Sequence, residues 1–347
     1  MESSRLLPVK PFRLFRIWLL TALALLCLPV ISGSVDANRF GSYIERHANG
    51  WIDWQEGLIY GIGRGYLDKN NNSRPRAQGA ANVLASASIL KLAAGVHLDE
   101  RETLETLGKG RVVIQLKAFM RDRQHKSSFI DDVKEPYFEV INVASMKGIS
   151  GLTARLLTHL KDQDPEWKDF PIPTGPRQSE FTPNDEDQPW LVLDARNLPD
   201  NQQVQPSIFP KVVNENGEAI YSLQEVEEAA LLNRGMMRYV VSDESPEDLR
   251  SGPDSIERIM ARAQIWPVSE AMAATEKREK RRKYIVQEVK QVQGLAKTNL
   301  LVSAADAREL KAEDVSSQIL KKCRVIVVVS SPVGGIEGGL GQKLAML

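Results

Sequence analysis

The chain has 347 residues, 42% apolar and 26% charged, with 45 Lys plus Arg set against 45 Asp plus Glu. That is the composition of a globular protein long enough for two ordinary cores. Its neutral balance removes the bulk positive field that would draw it to nucleic acid. Only four His occur, His47, His97, His125 and His159, none at metal-ligand spacing with another, so we expect neither a metal nor a cofactor.

The chain opens with Arg5, Lys10, Arg13 and Arg16, then an apolar run from Ile17 to Ile31 broken only by Thr21 and Pro29. Small residues follow, and cleavage after Ser34 or Ala37 fits them. This three-part layout predicts a signal peptide over residues 1–37, and the run is short for a membrane span of about 20 residues. The alternative is an uncleaved anchor. A lipid-anchoring signal is disfavoured because Leu26, not a small residue, precedes Cys27. Past the signal, Cys323 is the only thiol, so the core must hold without disulfides, and its place at the head of Cys-Arg-Val-Ile-Val-Val-Val marks it as a buried hydrophobe.

Residues 38–50 are expected to be a lead-in, helical around Tyr43 to His47. From Trp51 a strand is predicted, with Trp54, Leu58, Tyr60 and Ile62 on one face after a shift at Gly57. A loop spans Asp68 to Ser73; Asn71-Asn72-Ser73 is formally a glycosylation acceptor and is read as a turn. The helix that follows has Pro75 in its first turn and Gly95 at its end. Its apolar positions Ala80, Val83/Leu84, Ala87, Leu90/Lys91 and Ala94 recur at helical spacing. So much Ala lets a helix lie flat and close on a sheet.

Strands are expected at Arg111 to Arg121 and Pro136 to Met146, and a helix at Leu152 to Leu160. These complete a compact α+β module over residues 38–160. Residues 161–189 hold Pro165, Pro171, Pro173, Pro176, Pro183 and Pro189 and read as an extended linker. The second α+β domain, 190–347, opens with the strand Trp190 to Arg196. A hairpin is expected at Asn214-Glu-Asn-Gly217, a helix at Gln224 to Leu232, and a strand at Met236 to Val241. After a polar loop from Glu244 to Ser255, strands are predicted at Tyr284 to Val292 and Asn299 to Ser303. Helices Ala304 to Leu310, capped by Ser303, and Asp314 to Lys322 lead to Val325 to Val329, a β-branched run typical of a strand buried on both faces. A Gly-rich tail ends the chain.

Trp54, Gly57, Ile59, Gly61 and Gly63, with Arg76-Ala77, Ala80-Ala81 and Gly95-Val96, resemble the core of the twenty-kilodalton surface-lipoprotein family. The same module forms the N-terminal domain of flagellar assembly protein T; Ser86 and Ser88 depart from its helix pattern. In the second half, Leu193-Asp-Ala-Arg196 with Pro206, Pro210, Gly217 and Tyr221 resembles a companion module of exported bacterial proteins. Asn299 to Ser303, Asp306-Ala-Arg308 and Leu320 to Ile326 carry the rest of that likeness. The resemblance implies a periplasmic or outer-membrane-associated envelope protein with an assembly or structural role. It brings no catalytic residues.

Candidate chemistry is sparse. Gly61-Ile-Gly63-Arg-Gly65 lacks the G-x-G-x-x-G spacing of a phosphate loop and reads as strand glycines allowing close backbone packing. Gly334 to Gly341 leaves too few residues for a crossover helix. Lys277 to Lys283, with Arg278, Arg281 and Arg282, is the one basic cluster, a solvated helix end or a contact for a partner or membrane surface. Asp131-Asp132 has no identifiable acid–base partner. Asp194 and Arg196 lie two apart on a strand, hence on one face, as an ion pair or an anion site. The expected function is a non-enzymatic envelope protein acting through protein contacts with an envelope partner. The alternatives are a ligand-binding or hydrolytic periplasmic protein with an inter-domain site around Asp194 and Arg196, and a flagellar or motility accessory factor.

Overall fold

The computed structural model describes residues 40–67, 73–107, 122–163, 189–199, 202–242 and 284–330. The chain divides into two units, Met1–Asn38 and Arg39–Leu347, and everything described lies in the second. The signal peptide, most of the linker and the 68–72 loop, the expected strand Arg111 to Arg121, the polar loop, the basic cluster and the Gly-rich tail lie outside the described residues. The fold is α+β, as expected.

The first body is a five-stranded antiparallel sheet in the order β2-β3-β4-β6-β5, where β2 is Ile44–His47, β3 Gly50–Asp53, β4 Leu58–Tyr66, β5 Arg123–Ile130 and β6 Tyr137–Ser145. Helix α1, Arg74–Gly95, lies on one face. The expected helix near Tyr43 to His47 is instead the first arm of a hairpin. Ile44 pairs with Asp53 and His47 with Gly50 across a two-residue turn. Its residues are mostly polar, so the segment carries no apolar alternation, and the tertiary pairing decides its conformation.

The sheet-to-helix contact also reverses two expected faces. On β4 it is Ile59, Gly61, Gly63 and Gly65 that are buried, while Leu58, Tyr60 and Ile62 point to the opposite side. On α1 the buried positions are Ala77, Ala81, Ala85, Ile89, Leu92 and Ala93, not the Ala80–Val83–Leu84–Ala87 stripe. The reason is steric. A Cβ added at Gly61 would sit 2.3 Å from the Ala85 carbonyl oxygen, one at Gly63 2.0 Å from that of Ala81, and one at Gly65 1.9 Å from that of Ala77. Two strand residues advance about 6.7 Å and four helical residues about 6.0 Å, so glycines at period two meet alanines at period four along three rungs. Smallness, not hydrophobicity, selects the face, and Val83 and Leu84 stay 67% and 49% exposed.

The second body has two sheets. One runs β1-β10-β14-β7-β11, with β1 Phe40–Ser42, β7 Trp190–Asp194, β10 Arg238–Ser242, β11 Tyr284–Glu288 and β14 Val325–Val329. Strands β10, β14, β7 and β11 are mutually parallel, and β1 closes the edge antiparallel. Strand β14 is central and buried throughout, as its β-branched run predicts. The other sheet is β12-β13-β8-β9, made of Gln291–Gln293, Asn299–Leu301, Val212–Val213 and Ala219–Tyr221. The Asn214–Gly217 turn joins β8 to β9, with the Asn214 side chain bound to Glu218 and accepting from the Asn216 and Glu218 N–H groups.

Helix α2 is Leu152–Gln163 and α3 Glu228–Arg234, preceded by a 3-10 turn at Leu223–Glu225. Helix α4 is Ala304–Ser317, and Ser303 caps it, accepting from the Asp306 N–H at 3.1 Å. The first helix expected here runs on to Ser317, and most of the second, expected over Asp314 to Lys322, is instead turns from Gln318 onward. Lys311, Ala312 and Glu313 are good helix formers and nothing interrupts the ladder. It ends at Gln318 in the left-handed conformation.

The two bodies share one core. Tyr239 on β10 meets Tyr43 and Trp54 edge-on at 6.3 and 6.1 Å. Main-chain bonds cross between them: Phe209 N–H to Leu98 C=O at 2.7 Å, Ile208 to His97 at 3.0 Å, Gly148 to Leu232 at 2.6 Å. Lys211 pairs with Glu100 at 3.0 Å.

Candidate functional site

The Asp194–Arg196 pair sits where β7 ends. Arg196 donates from Nε to Asp194 Oδ1 at 2.8 Å and from Nη2 to Oδ2 at 2.9 Å, and its N–H reaches Oδ1 at 3.2 Å. Both side chains are nearly solvent-free, at 3% and 2% exposure. The Asp194 main chain is held as well, its C=O accepting from the Val289 N–H at 2.9 Å. A two-point fork of this kind satisfies both ions of the pair. The pair therefore ties β7 to its following turn. A cavity of about 20 Å³ beside it, lined by Tyr43, Ala195, Leu198, Gln202, Gln203, Val204, Val329 and Ser330, has room for about one water.

Arg278, Arg281 and Arg282 lie outside the described residues. Asp131 and Asp132 follow β5 in an exposed bend. Among the described residues no group of three or more His, Cys, Asp or Glu is placed to hold a metal ion, and no helix is long and apolar enough to cross a membrane.

Two features escape sequence reasoning. The first is Lys147, just past β6, at the junction of the bodies. It donates from Nζ to the Gln55 carbonyl at 2.7 Å. Burial pushes its ammonium down to about 8, and Arg238 adds to the fall against the pull of Glu56 and Asp53. Arg238 is itself driven down to about 10, by burial and then by Arg234, and stands 5.9 Å from the Trp190 ring.

The second is a groove of about 350 Å³ along α1, lined by Ala48, Asn49, Ile62, Gly63, Arg64, Leu84, Ala87, Ser88 and Lys91. It exists because β3 is shorter than β4. Their pairing stops at Gly50–Gly61, and one further bond runs from the Ile62 N–H to the Asn49 carbonyl at 2.8 Å. The Ile62 carbonyl accepts from Ser88 Oγ on the helix at 2.8 Å. Beyond that point no described strand lies beside Arg64 to Tyr66 on this side, while β6 stays paired with them on the other. The helix wall carries the apolar stripe that the glycine contact left outside. The period-two glycines are the sequence signal that could have found it, since they fix which helix face turns inward.

The fold and site define an α+β protein with a scaffolded surface groove. A family model described as Treponema pallidum Tp0624, second domain, matches residues 190–331. That stretch opens at the first residue of β7 and closes just past β14, so it takes in the second body without β1. No curated protein matches the chain.

Proposed function

We propose that this is an exported cell-envelope protein that acts by binding other proteins, in an assembly or structural role. The observation that carries the reading is the outward side of α1, where Val83 and Leu84 stand exposed and Leu84 lines an open groove, on a helix closely seated against β4. An apolar stripe exposed on a fixed scaffold favours a partner surface. The signal-like residues 1–37 and the resemblance of the Trp51–Leu98 stretch to a surface-lipoprotein module support the envelope setting. Fractionation of native cells with a photo-crosslinking amino acid at Leu84 tests both parts. Discrete adducts in periplasmic or outer-membrane fractions are expected. A cytoplasmic protein without adducts would overturn the proposal.

A further inference from the structure

We propose that the groove beside β4 is a strand-addition site, taking an extended peptide that carries apolar side chains at alternate positions and one carboxylate. The inference rests on the protein-binding reading above and names the partner's chemistry. Hydrogen bonds on β4 alternate sides. Ile62 turns its N–H and C=O toward β3, where Asn49 and Ser88 take them, so the next main-chain groups on that side belong to Arg64 and Tyr66. No described strand pairs with them there. Two donor–acceptor sets at strand spacing are complementary to another strand and poorly matched to a helix, whose main-chain groups are already bonded to one another.

The new strand would continue the line of β3, starting where the Ala48–Asn49 turn leaves off. Its alternate side chains would face Leu84 and Ala87 on the helix wall. Charge sets the remaining preference. Among the described residues the groove is lined by Arg64 and Lys91 and by no carboxylate. Arg64 is engaged along the sheet by Glu139, at 2.9 Å on the paired strand, which draws it off the open edge. Lys91 is exposed and has no carboxylate partner among the described residues, leaving it for an acidic side chain of the peptide. A second copy of this chain is a poor occupant, because symmetric edge-to-edge pairing sets the Lys91-bearing groove of one copy against the same groove of the other.

The test is a displayed library of random octapeptides selected on the purified protein. Enriched sequences should alternate apolar and polar residues and favour Asp or Glu. Their affinity should fall about tenfold with Tyr66→Pro, which deletes one edge donor, and again with Leu84→Asp at an exposed position that does not endanger folding. Lys91→Glu should shift the selected charge from acidic to basic. Three results would each overturn strand addition: no enrichment, binders patterned at helical spacing, or binders indifferent to all three changes. Sedimentation showing a dimer that Leu84→Asp dissolves would assign the edge to a second copy instead. The crosslinking at Leu84 reads the broader function independently, so adducts in cells with no strand-like binders would remove only this inference.

Discussion

Lys147 is a cation held where solvent is scarce, and the consequence is a pH signature. Its ammonium is lowered to about 8 in the folded protein from an ordinary value of 10.5. Below about pH 8 folded and unfolded chains both keep the proton, and the burial penalty is present in full. Between about 8 and 10.5 the unfolded chain still holds a proton that the folded chain has released, so stability rises with pH across that window. Lys147→Met should flatten the rise relative to wild type by about 2 kcal/mol in denaturant titrations at pH 7 and pH 10, taking 1.36 kcal/mol per unit and allowing for partial exposure. Equal slopes in the two proteins would refute the assignment. At Asp194 the expectation is different in kind. Breaking its two-point bond to Arg196 with Asp194→Ala should cost about 3 kcal/mol of stability, read as a lowered midpoint of unfolding. Loss of a ligand without loss of stability would restore the anion-site alternative.

The contact between β4 and α1 shows at the level of elements what was readable and what was not. Strand glycines, an Ala-rich helix and its Pro75 start all follow from the residue order, as does the hairpin at Asn214 and the capping by Ser303. The inward helix face does not, because apolarity points to Val83 and Leu84 whereas fit to a glycine strip demands Ala. Nor does the Ile44–His47 strand, whose polar residues carry no periodic signal. The groove is less legible still, since it depends on β3 ending before β4 does. The ion pair was one of two readings open for Asp194 and Arg196, but period two is not what brings them together: β7 ends at Asp194 and Arg196 reaches back from the turn that follows. The rung geometry makes a paired prediction. Gly63→Ala puts a methyl 2.0 Å from a helix carbonyl and 2.3 Å from the Ala85 nitrogen. Backbone cannot yield as a side chain does, so we expect a loss of about 3 kcal/mol. Gly79→Ala, on the same helix with nothing within 4 Å, should stabilise by about 0.5–1 kcal/mol. Identical midpoints for the two variants would contradict the close seating.

For the molecule as a whole, the question is whether the two bodies unfold separately. Expectation from composition alone is two domains either side of a Pro-rich linker, and domain boundaries ordinarily fall where few contacts cross. Here the crossing contacts are main-chain hydrogen bonds and buried rings. The Leu98–Phe209, His97–Ile208 and Leu232–Gly148 bonds fasten one body to the other at separate points. Tyr239 belongs to the parallel sheet yet lies against Tyr43 and Trp54 from the first body's end of the chain. Strand β1 completes the second body's sheet from residues that precede the first body entirely. Opening the junction would expose these aromatic faces and unpair the bonded main chain, and both raise the free energy of a half-unfolded state. The chain from Arg39 onward should therefore unfold as one cooperative unit. Hydrogen exchange read by mass spectrometry supplies the check: amides of β4 and of β14 should open with the same limiting free energy. Tyr239→Ala, a large-to-small change at a fully buried site, should lower both by the same amount, about 3–5 kcal/mol. If β14 is destabilised while β4 keeps its protection, the bodies are energetically independent and the shared core is only a contact surface.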